Sequence, residues 1–391
     1  VFEHMLFKGT RRRGVGEISS TIEAAGGDIN AWTSFDQTVY HVVLASRHAE
    51  TAIDVLADAL QHSAFDPVEL ERERAVILEE IRQGADDPMR TVAQSLYATA
   101  YVAHPYRRPV IGSAATVERF SREHLTSFFH RWYVAANVTL VIAGDFDRVA
   151  MRRAVTRHFG AMAAGTPTRR RVVEPAQVAT RGIVVDKEVS ESYLAIGFHA
   201  PALRSADVAA LDVAAVVLGQ GESSRLSSEL RRGRELVTGA WSYLHSLPDP
   251  GMFVVSATAR PERAHEATEA IGAAIARLGR EPISSDDLDK ARRGVEADAI
   301  YQRETVQGVA RAAGYYEVNA GDAQWEAEYL DHVRRLTPER VRAAAARWLA
   351  PTASSTATPP TAIGAASATS TWRRDRPGSR CGCRRTGRSP A

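Results

Sequence analysis

Cysteine is almost missing from this chain of 391 residues: there are two, Cys381 and Cys383, and both lie in the C-terminal tail. The body has none, so a disulfide framework is excluded, which suits a reducing, cytoplasmic setting. Excess charge is also missing. The 49 basic and 47 acidic residues leave a formal +2, too little to create a field that gathers nucleic acid or a membrane surface. No apolar run approaches the length of a membrane span, and no signal peptide is visible. What is plentiful is ordinary core material. With 45% hydrophobic residues the chain can bury one large core or two ordinary ones, and two domains are the expectation.

The most informative stretch is the first, Val1-Phe2-Glu3-His4-Met5-Leu6-Phe7. Glu3 and His4 are the last two letters of H-x-x-E-H, whose first His would stand directly before Val1. On a helix, two His four apart project from one face and can share a zinc ion, with the Glu between them placed as a general base. Only half of that constellation is present, and a Glu-His pair alone better suits a frayed surface helix. Downstream, Asp66-Pro67 opens a strong helix, and Glu69 to Arg82 carries Glu73 and Glu80 two turns apart on one face. Leu70, Ile77, Leu78 and Ile81 mark its buried side. A carboxylate beside such a stripe needs a partner or a metal, because an unpaired buried charge costs several kcal/mol.

Five stretches then fall in one order: "VFEHMLFKGT", "EAAGGDINAWTSFDQTVYHVVL", "ELERERAVILEEIRQGADDP", "HPYRRPVIGS" and "FFHRWYVAANVTLVIAGDFD". Together they resemble the pitrilysin and insulinase family of zinc peptidases, and within it the small two-domain branch that includes the mitochondrial processing peptidase subunits and their bacterial relatives. The resemblance implies Zn²⁺ as cofactor and an extended peptide as substrate. In that family the third ligand is a Glu about 76 residues beyond the second His, and position 80 here is Glu. The resemblance therefore implies His4 and Glu80 as metal ligands, Glu3 as the base, and Glu73 as the acidic residue that supports them. It also places Asn30 and Ala31 on a strand edge that pairs with the substrate backbone. Asn30 read alone is equally a turn residue after Gly27-Asp28.

The rest of the first half reads as helices around Ile18–Ile22, over Ala49–His62, around Val92–Tyr97 and over Ser121–Tyr133, with strands at Ile29–Trp32, Thr38–Leu44 and Val138–Ala143. Arg11, Arg12 and Arg13 read as a solvated basic turn, His48 and His62 as surface residues, and His104 as structural. A linker at 163–177 holds Gly, two Pro and three Arg without periodicity.

Two halves flank that linker and repeat each other. "NAWTSF" at Asn30 returns as "GAWSYL" at Gly239, and "FSREHLTSFFHRWYVAAN" at Phe120 as "LTPERVRAAAARWLAPTA" at Leu336. The expectation is an α/β (α+β) duplication, each half a mixed, largely antiparallel sheet packed with helices, the two enclosing a peptide cleft. The domains are expected at 1–162 and 178–350, with a low-complexity basic tail at 351–391 that is disordered or frame-shifted. The repeat calls for a closing strand to match Val138–Ala143, and Thr352–Thr358 supplies it only loosely. The repeat offset puts the start of the first half about 30 residues before Val1. The sequence thus reads as lacking a leading strand and most of the metal helix, with impaired zinc binding and cleavage.

Aligning the second half on the first puts Ala291 opposite Glu73 and Asp298 opposite Glu80, so no second metal site is expected. The resembled family uses this half for substrate contacts, through S-S-R-L, an Arg, and a Tyr seven residues on. Ser223-Ser224-Arg225-Leu226 and Arg231 match, but the Tyr position is Thr238 and the family's Gly before it is Glu235. Arg231 is the remaining candidate substrate contact. The expectation is a zinc-dependent endopeptidase subunit that pairs, as a homo- or hetero-dimer, with a homologous chain supplying the Arg/Tyr pair. The alternatives are a non-catalytic scaffold subunit and a peptide-binding module.

Overall fold

The computed structural model of the chain describes residues 1–169 and 171–350, together with the backbone of one strand at Thr361–Ser367. The rest of the tail, with Cys381, Cys383 and the closing strand expected near Thr352–Thr358, lies outside the described residues.

The first half opens with a short helix α1 (Phe2–Met5) and continues through α2 (Glu17–Ala24), β1 (Asp28–Thr33), β2 (Thr38–Val43), α3 (Ala49–His62) and α4 (Pro67–Asp86). It closes with α5 (Pro88–Ala100), α6 (Ala114–Val117), α7 (Arg122–Trp132) and α8 (Arg148–Phe159). Caps explain the sharp helix starts. Asp66 accepts from the Val68 and Glu69 amides and is followed by Pro67, whose missing N–H costs nothing at a helix start. Asp87-Pro88 repeats the device for α5.

The second half runs β3 (Arg181–Asp186), β4 (Ser192–His199), α9 (Val208–Gly219), a π-helical segment Leu226–Gly233, β5 (Gly239–His245) and β6 (Met252–Ala259). Five helices follow, α10 (Ala264–Arg280), α11 (Ser285–Tyr301), α12 (Val306–Ala320), α13 (Trp325–Arg334) and α14 (Pro338–Trp348), and then β7 (Thr361–Ser367). The sheet order is β3-β7-β4-β6-β5, parallel between β3 and β7 and antiparallel elsewhere. The mixed, largely antiparallel sheet expected from the sequence is therefore present here. Apolar residues run almost unbroken along β4 because both of its faces are covered. Helix α9 is apolar nearly all round, with Leu211, Val213 and Leu218 fully buried in the core that it shares with α10 and α14.

The duplication is visible in two pairs of elements. Trp32 on β1 and Trp241 on β5 lie on strands that each pair antiparallel with the next strand. Helices α7 and α14 each start on a hydroxyl cap, Ser121 and Thr337, and each end in Arg-Trp. The sheets differ, however: among the described residues the first half has only the pair β1-β2. The strand expected at Val138–Ala143 does not form. Its counterpart in the second half, β7, is held between β3 and β4. No described strand precedes β1 to play those two parts, so the Val138–Ala143 segment has no ladder to join.

The halves are joined by α5 and the residue that caps it, which lay Val92, Leu96, Tyr97 and Tyr101 against Ala195, Met252 and Val254 of the second sheet. Gly197 makes that approach possible: a Cβ there would stand 2.8 Å from Met252 Sδ and 3.0 Å from Leu96 Cδ1. Polar bonds fix the join. Tyr101 Oη donates to the carbonyls of Pro250 and Gly251 at 2.8 and 3.0 Å, and Asn319 on α12 donates to Gln37 at 3.2 Å. Beside the join, the Glu174 carboxylate accepts the amides of Val102, Ala103 and His104 at 2.7 to 2.9 Å.

One partly buried group inside the second half gives a pH-dependent expectation. Asp212 on α9 accepts from Tyr329 Oη of α13 at 2.9 Å, and desolvation pushes its carboxyl up from 3.8 to about 7. A raised carboxyl binds its proton more tightly when folded, so its contribution to stability falls as pH rises from about 3.8 to 7 and stays low above that. Asp212→Asn keeps an oxygen for Tyr329 and removes the charge. The expected result is a gain in unfolding temperature relative to wild type that is larger at pH 8 than at pH 5. An equal difference at both pH values would contradict it.

Candidate metal centre

The centre is built where α1 meets α4. The four residues of α1 present Phe2 to an aromatic nest of Phe65, Phe128 and Tyr133, while Met5 and Leu6 are fully buried. This packing fixes the direction of Glu3 and His4. On α4 the buried residues Leu70 and Ile77 lie against the core, and Glu73 and Glu80, seven apart, point along the neighbouring face.

The two helices bring the His and both carboxylates together. His4 Nδ1 stands 2.8 Å from Glu73 Oε2, and His4 Nε2 stands 3.9 Å from Glu80 Oε2. A carboxylate can only accept, so Nδ1 carries the hydrogen and Nε2 is the nitrogen turned toward Glu80. Glu73 is 9% exposed and Glu80 is 45% exposed. Burial alone would raise the Glu73 carboxyl, but hydrogen bonds from Lys8 and His4 hold it below the usual carboxylate range. Lys8 Nζ reaches Glu73 Oε1 at 2.7 Å. Glu3 turns the other way, one of its oxygens accepting from Thr33 Oγ1 at the end of β1.

The sequence did not single out Lys8 or Thr33. Lys8 reads as part of the basic turn, although its position four residues after His4 was the available signal. Thr33 is reached only through the strand register. The basic turn itself is not free in solvent: Arg12 pairs with Asp54, and Arg13 with Asp54 and Asp58 of α3.

The fit to zinc follows from this donor set. Two tetrahedral ligands about 2.0–2.2 Å from one zinc sit roughly 3.3–3.6 Å apart, so the 3.9 Å between His4 Nε2 and Glu80 Oε2 needs only a small side-chain shift. The carboxylate on Nδ1 is the partner that a metal-bound imidazole ordinarily has. Among the described residues no group of three His, Cys, Asp or Glu converges on one point. The chain thus brings two donors and their support to one place, and the pair fits zinc as far as it goes.

The other expected site residues are separate from this pair. Asn30 and Ala31 lie on β1, opposite His41 and Tyr40 of β2, and β1 has no second neighbour among the described strands. Asn30 Oδ1 accepts the Ala31 amide at 2.8 Å, covering one donor that an added strand would use. Arg231 sits in the π-helical segment, a local form often found at functional sites, and pairs with Glu222. Thr238 is bonded to Glu191 at 2.6 Å and to Thr258 at 2.7 Å. In the second half Ala291 is packed into the core and Asp298 is exposed, so α11 carries no counterpart of the acid pair.

Two family models match the chain. A family model described as insulinase (peptidase family M16) covers residues 1–114, and one described as the peptidase M16 inactive domain covers residues 119–295. The chain belongs to the M16 peptidase family. All of Glu3, His4, Glu73 and Glu80 fall within the first model, and Arg231 and Thr238 within the second. Among M16 relatives, a Bacillus subtilis protein described as an uncharacterized zinc protease is 29% identical over 87% of this chain and 82% of its own length. A similarly described protein of Mycobacterium leprae is 30% identical over 89% of this chain and 79% of its own. A Helicobacter pylori protease structure superposes with a TM-score of 0.87 at 26% identity, covering 93% of this chain and 87% of the other. An M16 inactive domain from Pseudomonas fluorescens superposes at 0.85 and, at 20% identity, shows the shared fold alone.

Proposed function

We propose that this chain is the metal-bearing subunit of a zinc-dependent endopeptidase. The observation that carries the reading is the arrangement of His4 between two carboxylates, Nδ1 on buried Glu73 and Nε2 facing Glu80. A scaffold has no use for it. Held by His4 and Glu80, zinc would supply Lewis acidity toward a scissile carbonyl and toward water. The remaining work belongs to side chains of the chain itself. Glu3, with one oxygen held by Thr33, accepts a proton from water at the other and returns it to the leaving amine. Glu73 orients His4. The free edge of β1 receives the substrate as an added strand, displacing the Asn30 side chain from the Ala31 amide.

Arg231 would contact the peptide once released from Glu222, and a homologous partner chain would supply the donor that Thr238 is too short to give. A second reading, a non-catalytic scaffold subunit, draws on one observation: Thr238 and Arg231 are already bonded within the second half. The test is hydrolysis of fluorogenic extended peptides by the purified chain, alone and with its co-purifying homologue, before and after chelation. Activity lost to chelator and restored by zinc supports the peptidase. A zinc-replete mixture without activity supports the scaffold.

A further inference from the structure

We propose that Lys8 is a positioning residue that acts on the metal centre through Glu73, forming a chain Lys8–Glu73–His4 that sets the direction of the His4 ring. The inference rests on the zinc reading of His4 and goes one contact further. Both oxygens of Glu73 are used, Oε2 by His4 at 2.8 Å and Oε1 by Lys8 at 2.7 Å. The carboxylate is 9% exposed, so an oxygen that lost its partner could not be served by bulk water in place. Without Lys8 the side chain gains by turning Oε1 outward, and that rotation carries Oε2 away from His4 Nδ1.

The backbone under Lys8 is held independently. Its amide donates to Met5 O at 3.2 Å, and the next residue, Gly9, adopts a φ of +100° that a side chain would resist. Gly9 O accepts from Ala64 at 3.1 Å and the Arg11 amide donates to His62 O at 3.2 Å, tying the turn to the end of α3. Lys8 therefore approaches Glu73 from a fixed position, unlike a surface ion pair between two mobile side chains, which contributes about 0–1 kcal/mol.

The test uses the whole chain and two readouts. The first needs no metal: the His4 Nδ1–H proton resonance, protected from solvent exchange by Glu73, recorded in zinc-free wild type, Lys8→Met and Lys8→Arg. Protection is expected in wild type and Lys8→Arg and lost in Lys8→Met, with all three unfolding at similar temperatures. The second is zinc affinity by chelator competition. Lys8→Met is expected to weaken binding about tenfold, the lower end of what outer partners of a ligand contribute, and Lys8→Arg to stay within about threefold of wild type. In a Glu73→Gln background, Lys8→Met should add nothing, because its route is gone. Retained protection in a folded Lys8→Met chain overturns the proposal, as does an undiminished Lys8 effect in the Glu73→Gln background. Failure of the wild type to bind zinc counts against the metal reading, while the resonance still decides the role of Lys8.

Discussion

Glu3→Gln lowers the zinc-dependent hydrolysis rate by about 10²- to 10⁴-fold, the range that a positioned general base supplies, while zinc content stays as in wild type. The two parts of this result separate the role of Glu3 from that of its neighbours. Glutamine has the size of glutamate and still offers an oxygen to Thr33 Oγ1, so the packing of Phe2 and Met5 on either side is left alone. What it cannot do is take a proton. Because Glu3 points toward β1 and His4 toward α4, removing its charge leaves the His4–Glu80 pair intact. Rates and zinc content are measured on the same preparations. A fall in both together would assign Glu3 to metal binding, and an unchanged rate would remove it from the chemistry.

His4→Ala abolishes zinc binding, with a fall in affinity of at least about 100-fold by chelator competition, and with it any zinc-dependent activity. His4 supplies the one imidazole of the pair. Its loss also leaves Glu73 Oε2 without a partner. Glu80 then remains as a lone, half-exposed carboxylate, and a single carboxylate holds zinc weakly. The zinc-free fold should survive, since the His4 side chain is 23% exposed and the core beside it is made by Met5 and Leu6. Zinc at 100 times its dissociation constant stabilises a chain by about 2.7 kcal/mol. A zinc-induced rise in unfolding temperature is therefore expected for wild type and absent for His4→Ala. An equal rise in both would show that the stabilising zinc binds elsewhere.

Much of this was legible in the sequence, for identifiable reasons. Helix α4 is announced by Asp66-Pro67 and the spacing of Leu70 and Ile77, and the helical period alone places Glu73 and Glu80 on one face. The repeat pairing β1 with β5 and α7 with α14 was equally visible, since caps and aromatic residues mark equivalent places in both halves. Long-range partners were not. The composition of Val138–Ala143 suits a strand, but pairing decides whether a strand forms, and β7 shows that the equivalent pairing partners are two strands arriving earlier in the chain. The strand β7 itself, at Thr361–Ser367, falls later than its loose sequence match because small residues such as Ala and Thr carry little strand signal. Arg12, Arg13 and Lys8 looked like one solvated turn because local sequence does not reveal that α3 and α4 present Asp54, Asp58 and Glu73 to them. Thr33 became a contact of Glu3 only through the β1–β2 register.

The most direct measurement is an anomalous difference map at the zinc edge from crystals of the chain grown with zinc. The account predicts a peak about 2.0–2.2 Å from both His4 Nε2 and a Glu80 carboxylate oxygen, with His4 Nδ1 still on Glu73. A map in which zinc lies away from His4, or in which His4 Nε2 and Glu80 face different solvent, would contradict it.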